Sequence, residues 1–556
     1  MARMSGKRAL MEQLVADGVR HVFGNPGTTE QGFMDLLQDY PQLQFMLALH
    51  EGVAVSMADA YARLTRRPAF VELHIAPGLG NALGMLHNAR VGRSPLVVYA
   101  GQSPSRSLFQ EPHLSGPLVD MARPVCKWVA EINHARDVPQ ALRRAFKVAN
   151  EPPEGPVFLS LPMDTLDAEA EVDIVPTSYT YARTRPDPTA VQEIAHLLLE
   201  AEQPMLLLGD GVARSQAQPE AVAVAELLGA GMLRGYSSEF IVPASHPLNV
   251  GSAGVVNPKA LRSLLDGCDV LLAVGTPVFR FIFPEPVESV LPAGARLIHI
   301  DLDTWEIGKN MPPALGVVGD PGAALADVLE VLRDRQTPAQ AEAAQARKAS
   351  ITTSARARRE RAAARARQAW DATPINPSRL MHELKAVLPD NGLVFAEAIT
   401  NQGPLEAALG VDEPDRLLNV RGGGIGPGLP GTLGAQLARP DRTVIGVCSD
   451  GAAMYSISSL WTAAHHRIPV TYVMLNNASY RILKLNLRDY LGEAAAERRF
   501  VEMDLNDPPL RFDRMAESMG VRAWRVEQPD AIGDALRAAI DHPGPSLVDV
   551  VIDGAL

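Results

Sequence analysis

Asp450, in Ser449-Asp450-Gly451, and Asn477, in Asn476-Asn477, offer one carboxylate and one amide oxygen to a hard cation. Mg²⁺ is held by few protein oxygens and completes its octahedron with water and ligand phosphates, so this pair predicts a metal that anchors a diphosphate. The surrounding elements explain how the two would meet. Apolar runs at residues 443–448 and 470–475 read as buried strands, and residues 456–466 between them carry helical spacing. A strand, helix, strand unit of this length returns to the same sheet edge, which sets Asp450 and Asn477 at the carboxyl ends of neighbouring parallel strands.

Other polar residues also follow strands. Glu51 comes directly after the apolar strand ending Leu49-His50 and opens a helix. Two readings fit it: desolvation that favours a bound proton, as a general acid requires, or a charge that complements the helix macrodipole. His74 ends the run at residues 68–73, before Ala76-Pro77-Gly78-Leu79-Gly80-Asn81, which reads as a turn into a helix. An imidazole at this edge could relay protons or be a satisfied core histidine. Gly24-Asn25-Pro26-Gly27-Thr28 is a third turn after a strand and brings the Thr28 hydroxyl to the same edge. Gly422-Gly423-Gly424-Ile425-Gly426-Pro427-Gly428 is a backbone open enough to lie against a flat ring, with Ile425 its one bulky side chain. Adjacent His465-His466 are read as a helix surface. The chain has no Gly-Lys-Ser/Thr phosphate loop, no convincing dinucleotide fingerprint and no His-Glu-x-x-His zinc helix.

A chain of 556 residues is too long for a single core. Its 47% hydrophobic and 21% charged residues are those of a globular protein, and no apolar stretch is long enough to cross a bilayer, so no membrane partner is expected. Met1-Ala2-Arg3-Met4 leads into an amphipathic helix without the apolar segment of a secretory signal, and the expected location is cytoplasmic. Cys126, Cys268 and Cys448 are scattered in apolar contexts and suggest buried thiols, neither zinc ligands nor disulfides. A net charge of −12 is the wrong sign for gripping phosphate backbones, so no nucleic acid partner is expected.

The pattern predicts an α/β fold. Helices at 7–16, 30–38 and 53–64 alternate with strands at 19–23, 43–49, 68–73 and 95–100, up to a Pro-rich passage at 152–188. Strands at 205–208, 270–274 and 296–300 mark a middle unit, and strands at 393–396, 443–448, 470–475 and 546–551 a third. Between these units, residues 337–370 are rich in Ala, Arg, Gln and Glu and read as a solvated helical linker. The expected domains are 1–170, 187–336 and 373–556, with the linker at 337–372.

The metal pair, the upstream Glu51, and the runs Phe23-Gly24-Asn25-Pro26-Gly27, Leu73-His74, Pro277-Val278-Phe279-Arg280 and Tyr455-Ser456-Ile457-Ser458 resemble a known family. It is that of thiamine diphosphate-dependent enzymes of the acetolactate synthase, pyruvate oxidase and benzoylformate decarboxylase group, the last of these most of all. The likeness spans essentially the whole chain. It implies three doubly wound parallel-sheet domains that are pyrimidine-binding, middle and diphosphate-binding in turn. It also implies Mg²⁺ on Asp450, the Asn477 side chain and the Ser479 carbonyl, with Gly451, Ala452, Tyr455 and Thr400 beside the diphosphate. Asn25 and Pro26 would line the cofactor. Ile425 would wedge it into a V, the Gly423 carbonyl would receive the aminopyrimidine amino group, and Glu51 would sit on the pyrimidine ring nitrogen. His74 and Thr28 would be catalytic. The implied activity is decarboxylation of a small 2-oxo acid, with protonation to an aldehyde or carboligation to an acceptor aldehyde. An acetolactate synthase-like carboligase and a catalytically silent homologue are the alternatives. Because the family builds its site between subunits, a homodimer or homotetramer is expected.

The chain departs from the family in places. Ser449 stands where the metal motif has glycine. The neighbourhood that carries a second catalytic histidine in benzoylformate decarboxylase reads Phe279-Arg280-Phe281-Ile282-Phe283, without an imidazole, which favours carboligation or a different substrate. His113 offers a replacement or is a plain loop histidine. Ile482 and Leu483 suggest an apolar pocket wall, and Asn486 stands near an aromatic position of the relative, which speaks against an aryl substrate. Flavin would rest on Gly209-Asp210-Gly211 alone, too little to assign FAD.

Overall fold

A computed structural model describes residues 2–180, 183–235, 237–252, 258–282, 290–492, 494 and 498–556. The chain divides into two compact units, one of Met1–Thr180, Ala369–Ala408 and Val420–Leu556, the other of Tyr181–Gln368 and Leu409–Asn419. The expected α/β architecture with parallel sheets is what forms.

The first unit holds two sheets. One runs in the spatial order Gln44–Leu47, His21–Asn25, Ala69–Leu73, Leu96–Gln102, Val157–Pro162, Trp128–Glu131, every neighbouring pair parallel. In the other, Leu393–Glu397, Val444–Ser449, Val470–Asn476, Ser546–Val551 and Arg522–Val526 are parallel neighbours. Most of these strands are rich in apolar residues with no strict alternation, as expected where helices cover both faces of a parallel sheet. Leu96–Gln102, Val157–Pro162 and Val470–Asn476 are buried at every position.

The second unit is a sheet ordered Asn249–Ser252, Gly231–Arg234, Pro204–Leu208, Val270–Val274, Arg296–Asp301, Leu315–Val318, again parallel throughout. The helix Pro338–Ala366 belongs to it. Arg347 donates to the Leu228 carbonyl and Arg359 to the Ser245 carbonyl, so these guanidinium groups satisfy a carbonyl at the end of the helix Gln218–Leu228 and one in a loop of the unit. No helix among the described residues is long and apolar enough to cross a membrane.

Three local readings change. Residues 76–81 are not a turn: the helix Ile75–Val91 starts directly after His74, with Pro77 in the first turn, where a missing N–H costs no intrahelical bond. The Pro-rich passage conceals the strand Val157–Pro162, whose flanking prolines imitate a loop. His466 is more than a surface residue, since its Nε2 accepts the Leu47 N–H at 2.9 Å.

Candidate active site

Strand Val444–Ser449 pairs in parallel with Val470–Asn476, with Ser449 opposite Leu475. Asp450 and Asn477 therefore emerge side by side from the same sheet edge. Asp450 Oδ1 accepts the Gly451 N–H and Oδ2 the Ala478 N–H, both at 2.7 Å, while Asn477 Oδ1 accepts the Ser479 N–H at 3.0 Å. Asp450 is 2% exposed, and burial pushes its carboxyl up to about 6 despite those backbone donors. A divalent cation would supply the positive charge that this setting lacks. No cluster of three or more His, Cys, Asp or Glu side chains suited to a metal occurs among the described residues. One carboxylate, one amide and a carbonyl fit an ion that keeps water and ligand phosphate oxygens in its shell. The hydroxyl of Ser449 donates to the Glu397 carbonyl at 3.0 Å, within the sheet, so the extra side chain is accommodated away from the metal ligands.

The glycine loop lies beside this edge. Gly422, Gly423 and Gly426 have φ of +90°, +96° and +109°, a region costly to any other residue. Glu397, buried, accepts the Gly426 and Gly428 N–H groups, each at 2.7 Å, and Ser456 Oγ donates to the Gly426 carbonyl. Burial raises the Glu397 carboxyl to about 7, partly offset by those two donors. Gly423 is exposed and Ile425 half-buried. Gly451 and Ala452 are buried in the turn after Ser449, Tyr455 is largely exposed, and Thr400 lies half-buried in the turn Ile399–Asn401.

Glu51 is the first residue of the helix Glu51–Thr65 and is buried. Its Oε2 accepts Asn81 Nδ2 at 3.0 Å and its Oε1 accepts Asn25 Nδ2 at 3.4 Å. A Cβ on Gly78 would come within 2.8 Å of Oε1, so that glycine leaves room for the carboxylate. His74 Nδ1 lies 2.9 Å from Glu30 Oε2. Glu30 also receives the Gly27 N–H, the Gly101 N–H and the Thr29 hydroxyl, so only donors converge on it and His74 must present Nδ1–H there. Nε2 is thereby the imidazole atom left for a ligand. Gly27 packs under this ring, where a Cβ would meet Nδ1 at 2.0 Å. Pro26 is half-buried and Thr28 exposed in the same turn. His113 is exposed after the turn Ser105–Gln110, and among the described residues no hydrogen bond ties it to Glu51, His74 or Glu30.

Glu30, Asn81 and Glu397 are functional candidates that sequence reasoning missed. Glu30 carried the signal of an acid three residues after a turn glycine, the spacing of a helix-capping carboxylate. Glu72 was missed as well. It lies in the middle of the first sheet, fully buried, and among the described residues neither carboxylate oxygen has a hydrogen-bond partner. Burial first, then the charges of Glu30 and Glu51, hold its carboxyl well above the ordinary glutamate range. Glu72 thus keeps its proton in the folded state while the unfolded chain loses it, so its contribution to stability falls as pH rises above the ordinary range. Glu72→Gln is expected to raise the melting temperature at pH 8 and to do so less at pH 5, by up to about 1.4 kcal/mol per pH unit. A melting difference that does not change with pH would sink this assignment.

In the second unit, the Gly209 and Gly211 N–H groups donate to the Val274 and Gly275 carbonyls, and Asp210 accepts Ser238 and Glu239 N–H groups. The two glycine N–H groups of that turn are spent internally. The rings of Phe279 and Phe281 stack at 6.4 Å, and Phe283 lies outside the described residues.

Comparison with known proteins matches three family descriptions along the chain. The thiamine pyrophosphate enzyme N-terminal TPP binding domain covers residues 4–116, the central domain 191–328 and the C-terminal TPP binding domain 401–550. The chain is similar to a benzoylformate decarboxylase of Pseudomonas aeruginosa, 33% identical over 98% of both chains. It is also similar to an acetolactate synthase large subunit of Haemophilus influenzae, 26% identical over 100% of this chain and 95% of the other. A solved Rhodococcus jostii structure, a thiamine diphosphate-dependent 4-hydroxybenzoylformate decarboxylase, superposes with a TM-score of 0.84 at 30% identity, covering 99% of each chain.

Proposed function

The chain belongs to the thiamine pyrophosphate enzyme family, and we propose that within it the protein is a Mg²⁺-dependent 2-oxo acid decarboxylase or carboligase. The observation that carries this reading is Glu51, a buried carboxylate held by two asparagine amides with Gly78 opened around it.

Asp450, the Asn477 side-chain oxygen and the Ser479 carbonyl would hold Mg²⁺, with Gly451, Ala452, Tyr455 and Thr400 beside the diphosphate and Asn25 and Pro26 along the ring. Bound thiamine diphosphate supplies the electron sink that lets carbon dioxide leave a 2-oxo acid. Glu51 would hold a proton for the pyrimidine ring of the cofactor, the Gly423 carbonyl would orient its amino group, and Ile425 would support it from below. His74 moves a proton at Nε2 while Glu30 fixes its tautomer and stabilises the imidazolium, and Thr28 adds a hydroxyl at the same edge. Domains at 1–170, 187–336 and 373–556, joined by 337–372, and assembly as a homodimer or homotetramer complete the proposal. Light scattering that found an active monomer would remove the assembly.

The stretch Phe279–Ile282, without an imidazole, favours a second reading as an acetolactate synthase-like carboligase. One proton relay fewer hinders aldehyde release more than carbon–carbon bond formation. His113 is the residue we assign to test for a substitute relay: unchanged turnover in His113→Ala would dispose of that role. The apolar residues Ile482 and Leu483 of the helix Arg481–Leu491, with Asn486 beyond them, suit an aliphatic substrate better than an aryl one. Assaying carbon dioxide release from pyruvate, branched-chain 2-oxo acids and benzoylformate, with product analysis, separates aldehyde from acetolactate or acetoin products. No release from any 2-oxo acid by the cofactor-loaded protein would sink both readings.

A further inference from the structure

The helix Ile75–Val91, which brings Gly78 and Asn81 to Glu51 near its start, carries another buried amide near its end. Asn88 is 3% exposed. Its Nδ2 donates to the Gly424 carbonyl at 3.0 Å and its Oδ1 accepts the Gly424 N–H at 2.9 Å, so both halves of the amide are matched to both backbone groups of one residue. The fit is close on either side. A Cβ on Gly422 would lie 2.4 Å from Asn88 Cα, and one on Gly424 would lie 2.9 Å from Asn88 Oδ1.

Such a clamp answers a physical need. Three glycines at positive φ give the loop 422–426 no steric preference for one conformation, and Ile425 is the one side chain within it. Its far end is fixed by Glu397, through the Gly426 and Gly428 N–H groups. Its near end is fixed by Arg421, whose buried guanidinium reaches Asp59 and Ser94 and whose side chain runs along Gly92. The middle, Gly423 to Ile425, is held at Gly424 by Asn88 alone among the described side chains.

We propose that Asn88 is a positioning residue for the reaction: by holding Gly424 it sets the direction of the Gly423 carbonyl and the depth of the Ile425 side chain on either side. This rests on the proposed roles of Gly423 and Ile425 toward the cofactor. Asn88 touches neither cofactor nor substrate and acts through the loop.

The test uses the full-length protein reconstituted with thiamine diphosphate and Mg²⁺. Asn88→Ala is expected to lower kcat about 10- to 100-fold, as small misplacements of catalytic groups do, with KM for the 2-oxo acid within about threefold. The near-ultraviolet circular dichroism of the bound cofactor should change. Asn88→Asp keeps size and one acceptor but cannot donate to the Gly424 carbonyl, and should show the same split, which keeps the test available if the alanine variant does not fold. Wild-type kcat and dichroism in the folded, loaded variants would overturn the proposal, as would a lowered melting temperature with unchanged kcat. Ile425→Ala is the control for the underlying reading: if it leaves dichroism and kcat unchanged, the cofactor role of the loop fails, whatever Asn88 does.

Discussion

Glu51→Gln is expected to lower kcat by about 10³-fold, within the range that a positioned acid or base contributes, while thiamine diphosphate still binds. The substitution keeps the volume that Gly78 leaves open and keeps one oxygen for Asn25 or Asn81, so the cleft persists. What it would remove is the exchangeable proton that Glu51 is proposed to offer the pyrimidine nitrogen. Steady-state turnover and fluorescence titration of the cofactor, run side by side, check both halves. Retained binding with lost turnover supports catalysis. Near-normal turnover would remove Glu51 from the chemistry, and a wild-type protein that binds cofactor without turning over any 2-oxo acid would mark a silent homologue.

The second large effect is expected at the metal. Asp450→Asn should weaken cofactor binding by about 10²-fold or more, because the site loses the only carboxylate among its proposed ligands and a metal's charge stabilisation is worth several kcal/mol. Dialysis of the wild type against a chelator should inactivate it, and Mg²⁺ with thiamine diphosphate should restore it. Activity that survives complete metal removal would refute the assignment. The metal-free variant carries a further expectation. Since burial raises the Asp450 carboxyl to about 6, its penalty on folding appears as pH climbs past the ordinary aspartate range and is complete above about 6. Metal-free Asp450→Asn should therefore melt higher than metal-free wild type at pH 7, with the difference fading toward pH 4.

Much of the fold was legible because buried parallel strands are written as short runs dense in apolar residues. Val270–Val274 and Ser546–Val551 were readable to the residue. Asp450 and Asn477 were legible for the same reason, each standing two positions past such a run and directly after the strand it forms. Glu51 stood out at a helix start. The strand Val157–Pro162 was hidden by prolines at its borders, and the start of Ile75–Val91 by glycines and a proline that suggest a turn but sit comfortably in a first helical turn. Glu72 and Asn88 left no local mark and Glu30 only that of a capping carboxylate, because what defines them is a partner, or its absence, at long range: His74 for Glu30, Gly424 for Asn88, and no donor among the described residues for Glu72. Glu397 was one position past the end assigned to its strand, and its two acceptors are spent on a loop about thirty residues further along.

The buried carboxyls at Glu72 and Asp450 bear on how this protein can be improved. Each is a standing strain on the folded state, and replacing either by its amide should relieve that strain. A mutant library ranked by heat resistance alone would therefore promote Asp450→Asn among its winners, the variant expected here to lose its metal. Selection has to be run with the coenzyme and magnesium present, so that occupancy rewards the sequences still able to take them up.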